Sequence, residues 1–366
     1  ESPISIVIEI PTQVPTAVVN PTATLVPPPD TLVVCLNEEP DSLYAYGSSS
    51  QAAKHIWQAI YDGPIDSNGY RYEPVILEKI PSLRDGDGAV NLVTVTEGDR
   101  VVDDSGTPAE LTPGTIIRPS GCNSGDCAFE YDEGDLLLDQ MQVTFRILRG
   151  VVWSDGTPLT AQDSVYSFEL NASDETPASK FVVDRTASYS AVDDFTVIWQ
   201  GLPGYIDPNY GLNFWTPMPE HIWGSMQPGT LLNAKISTEK PIGWGPYTIQ
   251  SWNPGQNIIL QKNPNYFRST EGLPHFEQLV FRFVGENTNN NIAATMSGEC
   301  DVVEKVENIA FTTLAELQNN GRLNTIVGQK ATWEHLDFGI NPASYDDGYD
   351  PGDDRPAFFS DTRTRQ

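Results

Sequence analysis

The sequence contains no apolar run of the roughly 18 to 20 residues that a helix needs to cross a bilayer. Basic residues are also scarce, because 21 Lys and Arg stand against 50 Asp and Glu, which gives a formal net charge of -29. Such a charge repels the phosphate backbone of nucleic acids and anionic lipid surfaces. We therefore expect no nucleic-acid binding and no membrane span, and any membrane link must come from outside these residues.

The common catalytic motifs are absent as well. The sequence has no GxSxG elbow, no HExxH motif and no P-loop, and the SxxK match at 237–240 lacks its companion motifs. Fifty carboxylates leave a glycosidase-like acid/base pair open, because such a pair is defined by its distance in space. A carboxylate-dependent hydrolase is therefore the lesser alternative, and no catalytic residue is assigned.

Metal-ligand patterns are equally sparse. The four histidines are scattered singly, whereas a zinc site would favour a CxxC pair with histidines nearby. The acidic pair Asp85 and Asp87 and the run at 345–354 complete no EF-hand loop, so they are typical of solvated loops. We expect neither a metal ion nor a cofactor.

Cysteine is limited to four residues. Cys122 and Cys127 are separated by a short glycine-containing spacer, which permits a local disulfide in an exported protein. Cys35 and Cys300 lie far apart in predicted strands, and buried free thiols are an alternative for these two residues.

The first 29 residues contain no Lys or Arg and are rich in Pro, Thr and Val. Such a segment is extended and cannot pack a core, and it lacks the positive start of a signal peptide. Residues 1–29 are therefore predicted to be a tether. An edge strand at 6–10 is the alternative, against which Pro11 and Pro15 argue.

A strand, a turn and a helix follow one another between 143 and 170. Alternating apolar residues at 143–147 predict a strand, and Ser-Asp-Gly at 154–156 is turn chemistry. Thr160 and Asp163 have the spacing of a capping box at the start of a helix. The polar residues of this corner, including Asp155, are interpreted as holding its shape rather than as catalytic.

Strand and helix signals alternate along much of the chain, which indicates an α/β fold. The strongest signals predict strands at 31–36, 279–283 and 300–303, and helices at 52–60, 292–296 and 311–317. The first of these helices starts at Ser48, Ser49 or Ser50. The pattern from 62 to 191 is mostly strands and turns, with a Gly/Asp-rich insertion at about 84–135 that is typical of a surface elaboration.

Several segments together resemble one protein family. They are LRGVVWSDGTPLTAQDSVYSFEL (148–170), PIGWGPYTIQSWNPGQNIILQKNPNYF (241–267), MSGECDVV (296–303), the closing DTRTRQ, NEEPDSLYAYG (37–47) and PMPEHIW (217–223). Taken in their order along the chain, they are similar to the family 5 extracellular solute-binding proteins of ABC importers, the oligopeptide- and dipeptide-binding type. The resemblance extends from about residue 31 to 366.

The resemblance implies a two-lobed periplasmic-binding-protein-like fold of type II, the large peptide-binding class, with a β-rich subdomain. Family members continue well beyond the position of DTRTRQ, so the second lobe is expected to be mostly absent from this chain. The implied division is a tether at 1–29, first-lobe core at 30–61 and 192–328, the β-rich subdomain at 62–191, and a crossover into a truncated second lobe at 329–366.

The implied function is that of the extracellular or periplasmic substrate-binding component of a bacterial ABC importer. Such a protein captures a peptide or similar small solute in an interlobe cleft and delivers it to the membrane permease without catalysis. The tether fits a cell-surface lipoprotein whose anchor lies outside the chain. A tethered adhesive or interaction module is the main alternative, because it would also be acidic and extracellular.

The resemblance also carries candidate site residues. Gly47, Ser48 and Ser49 match the loop at which the first lobe contacts ligand, although a simple helix cap is the alternative. Phe181 is an aromatic candidate for the cleft, with a core position as its alternative, and Trp215 is a weaker aromatic candidate. Trp333 and His335 share one strand face, so either both line the cleft or both lie in the core. The resemblance further places Cys35 and Cys300 in one sheet, which implies a second disulfide between them.

Overall fold

The computed structural model describes residues 30–68, 71–122, 124–304 and 309–326. The described residues fall into two compact units, one drawn from the ranges 1–66 and 73–309 and the other from 67–72 and 310–366. The predicted tether at 1–29 and crossover at 329–366 lie outside the described residues, as do Trp333 and His335. Within the described ranges, no helix has the length and apolar character that a membrane crossing requires.

Strands and helices alternate through the described residues, which confirms the α/β class. The strands are β1 (Thr31–Leu36), β2 (Ile65–Asn68), β3 (Arg71–Pro74), β4 (Gly88–Val95), β5 (Arg100–Val102), β6 (Pro108–Glu110), β7 (Ile116–Ile117), β8 (Phe129–Glu130), β9 (Leu136–Arg146), β10 (Thr186–Asp193), β11 (Thr196–Gly201), β12 (Tyr247–Asn253), β13 (Asn257–Lys262), β14 (Gln278–Phe283) and β15 (Val302–Val303). The helices are α1 (Gln51–Ile60), α2 (Ala161–Ala172), α3 (Phe181–Asp184), α4 (Glu220–Trp223), α5 (Pro228–Leu231), α6 (Lys235–Thr238), α7 (Thr288–Ser297) and α8 (Phe311–Asn319).

The larger sheet has the strand order β12-β13-β14-β1-β15. The first strand, β1, lies parallel to both of its neighbours, β14 and β15, whereas β12, β13 and β14 form an antiparallel meander. Parallel neighbours need a long crossover between them. The crossover from β1 to β14 contains the smaller sheet and most of the helices.

Both predicted disulfides are confirmed. Cys35 of β1 is bonded to Cys300, which lies two residues before β15, and their Cα atoms are 5.8 Å apart. Cys122 and Cys127 form a local bridge across a short turn, also with a Cα separation of 5.8 Å. The alternative of free buried thiols at Cys35 and Cys300 is therefore wrong.

The smaller main sheet is antiparallel and has the order β10-β11-β9-β4. Its edge strand β4 belongs to the predicted insertion, and it pairs with β9 from Gly88 opposite Val143 to Val95 opposite Leu136. The rest of the insertion forms two small hairpins over an apolar cluster of its own. The sheet also includes β11, which extends to Gly201, so it continues past the predicted subdomain boundary at 191.

One apolar core joins the two sheets. It contains Leu36 and Phe281 of the larger sheet, Ile56 of α1, and Phe145 and Trp199 of the smaller sheet. Because burial of apolar surface is the main stabilising term in folding, this shared core makes the two sheets one folding unit.

Two helix starts follow the capping rules. The hydroxyl of Ser50 accepts a hydrogen bond from the N–H of Ala53 at 3.1 Å, so Ser50 is the residue that caps α1. At α2, the Asp163 carboxylate accepts the N–H of Thr160 at 2.8 Å, as the capping-box spacing predicts. These caps satisfy N–H groups that the first turn of a helix leaves free.

Candidate functional site

A cavity of about 580 Å³ opens beside α1, entirely within the unit formed by 1–66 and 73–309. We call it the α1 cavity. Its walls come from the outer face of α1, from the loops on either side of that helix, from the end of α2 and the segment after it, and from the segment before α4. The lining residues are Ala45, Tyr46, Lys54, Trp57, Gln58, Tyr61, Gly63, Ile65, Asp66, Asn171, Ser179, Val182, Leu212, Asn213, Phe214, Trp215, Thr216 and Met218.

Two tryptophans form a fixed aromatic wall. The indole N–H of Trp57 donates to the carbonyl of Leu43 at 2.8 Å. Trp215 packs edge-on against Tyr189 and Phe168, with ring centroids 4.7 and 4.9 Å away. Both rings are therefore held in place before any solute binds, which reduces the entropy lost on binding.

Amide side chains supply the hydrogen-bonding part of the wall. The side-chain N–H of Asn213 donates to the Asp207 carboxylate at 2.9 Å, and Asp207 also accepts from the Tyr205 hydroxyl and the N–H of Asn209. Asn171, at the end of α2, and Gln58, on the outer face of α1, line the cavity as well. A wall of aromatic rings and amides suits a mixed apolar and hydrogen-bonding solute.

One cation and one carboxylate lie among the lining residues, and both are exposed. Lys54 is on the outer face of α1, and Asp66 lies in β2. Partial burial of the Asp66 carboxyl group disfavours its charged form, and the negative charges of Asp62 and Glu73 act in the same direction. Together they raise the pKa of Asp66 above its usual value. The cavity can therefore offer both a positive and a negative group to a bound solute.

Tyr61, which follows the last residue of α1, also lines the cavity. Its hydroxyl is enclosed without a hydrogen-bond partner among the described residues. Its ring packs against Trp244 with centroids 5.2 Å apart. Burial raises the pKa of the Tyr61 hydroxyl well above its ordinary value, so this group is neutral at physiological pH.

The predicted loop Gly47, Ser48 and Ser49 follows two lining residues directly but does not itself line the α1 cavity. The N–H groups of Gly47 and Ser48 donate to the carbonyl of Tyr44 at 2.8 and 3.2 Å, so these groups are already used within the turn. The Ser48 hydroxyl donates to Asp41. A role for this loop in holding a solute stays a prediction, and Ser49 is the member whose N–H has no hydrogen bond within the described residues.

Phe181, the first residue of α3, is 56% exposed, so the core alternative for this side chain is wrong. It lies between two lining residues, Ser179 and Val182. The guanidinium of Arg185 stacks on its ring at 3.8 Å, and the same guanidinium donates to the carbonyl of Gly106 in the insertion at 2.6 and 3.1 Å. A ligand contact by Phe181 remains a prediction.

Of the other aromatic candidates, Trp215 lines the cavity, whereas Trp333 and His335 lie outside the described residues. Most of the residues that line the α1 cavity were not predicted from the sequence. Tyr46 lies inside the family-like segment 37–47, one residue before the predicted loop, and Lys54 and Gln58 have the spacing of one helix face, so these three carried a usable signal. Asn171 and Asn213 carried none, because only the fold brings them to the cavity.

Comparison with known proteins identifies the class. A model of the bacterial extracellular solute-binding proteins, family 5 (middle part), matches residues 134–366, which is more than half of the chain. The chain belongs to this family. Its members bind solutes and are not enzymes, so the hydrolase alternative is set aside.

The similar curated proteins include two whose names state a ligand. The chain is 27% identical to the oligopeptide-binding protein AppA of Bacillus subtilis over 42% of this chain and 28% of that protein. It is also 27% identical to the probable D,D-dipeptide-binding periplasmic protein DdpA of Escherichia coli over 49% of this chain and 33% of that protein. The matched region thus spans about a third of the length of these relatives.

Solved structures share the fold. The oligopeptide-binding protein from Thermus thermophilus, complexed with a pentapeptide, aligns with a TM-score of 0.53 at 17% identity over 74% of this chain and 44% of that chain. NikZ from Campylobacter jejuni, in complex with Ni(L-His), aligns with a TM-score of 0.51 at 14% identity over 80% of this chain and 46% of that chain. These alignments support the type II solute-binding fold expected from the sequence.

Proposed function

We propose that this chain is the substrate-binding part of an ABC importer and that it captures a short peptide in the α1 cavity. The observation that carries the proposal is the composition of the cavity wall. Fixed indoles at Trp57 and Trp215 provide apolar surface, amides provide hydrogen bonds, and Lys54 and Asp66 provide one charge of each sign. A peptide has all three kinds of complementary group.

The relatives support the same class of solute. AppA and DdpA are named for oligopeptide and D,D-dipeptide binding, and the Thermus protein holds a pentapeptide. NikZ holds a nickel–histidine complex, so the fold also admits a different cargo. We favour a peptide because the described residues of this chain contain no cluster of three metal-ligating side chains.

Delivery to a permease completes the proposed role. The family is extracellular, and an importer receives its solute from a binding protein that diffuses or is tethered close to the membrane. We propose that residues 1–29 act as this tether, because their Pro- and Thr-rich composition makes an extended spacer. In this role, the protein's partners are the membrane permease subunits of the importer.

The proposal can be tested by a thermal-shift screen of the protein against pools of di- to pentapeptides, oligosaccharides and metal–amino-acid complexes. A solute that binds only the native state raises the melting temperature, by an amount that grows with its concentration relative to Kd. Peptide pools should give the rise. Intrinsic fluorescence should change in the same titrations, because two tryptophans line the cavity.

The variant Trp215→Leu tests the role of the aromatic wall, because it keeps an apolar side chain but removes the indole. This variant should fold and should bind the active peptide at least about tenfold more weakly, since an aromatic anchor commonly contributes more than 1 kcal/mol to binding. A rise caused by saccharides or metal complexes and not by peptides would contradict the proposal.

A further inference from the structure

The outer edge of β4 is unpaired in the part of the chain that the structure describes. The N–H of Thr144 in β9 donates to the carbonyl of Asp87, just before β4, at 2.8 Å. Because the backbone of an antiparallel strand points alternately towards and away from its neighbour, the backbone groups of Val90, Leu92 and Thr94 point away from β9. Their N–H groups have no hydrogen-bond partner among the described residues. This edge can therefore pair with a further strand.

Edge strands are usually protected against such pairing by bulges, short length, charged side chains or proline. Among the described residues, the other edges of the two main sheets follow this rule, because β10 and β12 have irregular registers and β15 consists of two residues. By contrast, β4 pairs with β9 over eight consecutive residues without a bulge, and it contains neither proline nor an ionisable side chain. The fold thus leaves one long and regular edge open.

Apolar side chains flank this open edge. Val90 and Leu92 are 45% and 59% exposed, and they lie on one face of the sheet because residues two apart in a strand point to the same side. Leu137 of β9 lies opposite Thr94 on that face and is 48% exposed. A second strand placed along β4 would remove part of this apolar surface from water, in addition to pairing the backbone groups.

The strand is complementary to a second copy of itself. When two β4 strands pair antiparallel about Leu92, Val90 of each copy lies opposite Thr94 of the other, and the outward N–H and C=O groups of all three residues gain partners. Like charges directly opposite each other destabilise a sheet. None meet within these paired strands, because residues 88–95 carry no ionisable side chain in a chain whose net charge is -29.

Charges at the two ends of β4 also complement each other. Arg84 lies in the loop before β4 and Glu97 lies in the turn after it. Both side chains are exposed, and neither forms an ion pair with another described residue. Antiparallel pairing brings the loop of one copy to the turn of the other, and two-fold symmetry forms this contact of opposite charges twice. The charge pattern therefore favours a second copy as the occupant of the edge.

We propose that this chain forms a two-fold homodimer by antiparallel pairing of β4 with β4 of a second copy. The two four-stranded sheets then form one continuous sheet. Two strands of this length bury less than the roughly 1,200 Å² of a standard interface, and the net charges of the copies repel, so the association is weak and depends on concentration. The inference does not rest on the proposed function, because no residue of β4 lines the α1 cavity.

Sedimentation equilibrium over a range of protein concentrations tests the proposal, and a monomer–dimer equilibrium is the expected result. Leu92→Lys places two ammonium groups opposite each other at the two-fold axis and should weaken dimerisation at least about tenfold. The matched control is Val192→Lys, which makes the same kind of change at an exposed position of the other edge strand, β10, and should leave the equilibrium unchanged. Both variants should keep the wild-type melting temperature, because both positions are exposed.

A charge exchange tests the two-fold arrangement itself. Arg84→Glu and Glu97→Arg should each weaken the dimer about threefold to tenfold, because each replaces two contacts of opposite charge with two of like charge. The double variant should dimerise as tightly as wild type, because it re-forms both contacts with their signs reversed. The single changes shift the net charge in opposite directions, so a weakening in both cannot arise from overall repulsion.

A protein that stays monomeric at every concentration would overturn the proposal, and so would a Leu92→Lys variant that dimerises as tightly as wild type. Hydrogen exchange gives an independent readout. The amides of Val90, Leu92 and Thr94 should exchange fast in dilute protein and more slowly in concentrated protein. Slow exchange at these amides in the dilute monomer would reject the dimer, because another segment of the chain would then already cover the edge.

Discussion

Two glycines in the segment 241–267 lie where any side chain would collide with the end of α1. A Cβ atom on Gly243 would be 1.8 Å from the carbonyl oxygen of Ile60, and one on Gly245 would be 2.6 Å from the carbonyl carbon of that residue. The N–H of Gly245 donates to the same carbonyl at 2.8 Å. The close approach of two backbones thus fixes the position of α1, which carries one wall of the cavity.

We expect Gly243→Ala to lower the free energy of unfolding by about 3 kcal/mol, because the backbone at Ile60 must move to admit the methyl group. Chemical denaturation followed by tryptophan fluorescence would measure the change. Gly125→Ala is the control, since a Cβ there meets no atom within 4 Å. Equal unfolding curves for Gly243→Ala and wild type would contradict the close approach.

A charged cluster at the start of β4 makes stability depend on pH. Asp87 is 7% exposed, and it bonds to Lys79 at 2.5 Å and to Arg146 at 3.0 Å. Burial disfavours its charged form, but the hydrogen bonds from Lys79 and Arg146 outweigh burial and hold the pKa of Asp87 below its usual range.

Because this pKa is lower in the folded state than in the unfolded state, the carboxylate stabilises the fold above about pH 4, and the contribution is lost as the pH falls through the folded-state pKa. Asp87→Asn should therefore destabilise the protein by about 1–2 kcal/mol at pH 7. The difference from wild type should shrink towards pH 3 in parallel urea titrations. A difference that stays constant with pH would exclude this ionic contribution.

At the scale of elements, the insertion at 84–135 is tied to the rim of the α1 cavity. Arg185 joins the carbonyl of Gly106 in the insertion to the ring and carbonyl of Phe181 in α3. Arg100 of β5 donates to the carbonyl of Asp184 at 3.2 Å, also in α3. Since Val182 of α3 lines the cavity, the insertion supports one of its walls.

We predict that Arg185→Lys loosens this connection, because an ammonium cannot keep both the stacked and the forked contacts of a guanidinium. Hydrogen exchange should become faster at the amides of 103–107 and 181–185 and should be unchanged in β12 and β13. Arg149→Lys, which removes a similar stacking contact on Phe195, should leave exchange at 103–107 unaffected. Unchanged exchange in Arg185→Lys would show that the insertion is held by other contacts.

Local patterns predicted the elements well and the cavity poorly. Gly298, with φ of 77°, caps the end of α7, and Thr160 caps the start of α2. Both signals could be read from the sequence because caps and left-handed glycines act within a few residues. The place of Asn171 in the cavity wall depends instead on segments that are far apart in the sequence. No spacing in the sequence encodes that arrangement, so this part of the site required the structure.

At the scale of the whole molecule, the two disulfides differ in burial and so in chemistry. Cys35 and Cys300 are 0% and 1% exposed, whereas Cys127 lies on an exposed turn. A reductant attacks a sulfur atom that it can reach. The two bridges should therefore respond differently to mild reduction of the folded protein.

We expect dilute dithiothreitol followed by thiol alkylation to modify Cys122 and Cys127 in the native protein, and to modify Cys35 and Cys300 only when denaturant is added. Replacing both Cys35 and Cys300 with serine should lower stability by about 2–5 kcal/mol, more than the same change at the short 122–127 loop, because the longer loop restricts the unfolded chain more. Equal labelling of all four cysteines in the native state would contradict the buried position of the first bridge.

The bond between Cys35 and Cys300 has a further consequence for the covalent connectivity of the chain. It closes a ring that spans a sequence separation of 265 residues and contains the insertion, the smaller sheet and every residue that lines the α1 cavity, from Ala45 to Met218. A single protease cut in an exposed loop within that ring opens it without releasing a fragment. On a non-reducing gel such nicked protein would migrate as one band, and both sides of the cavity would stay joined after the cut.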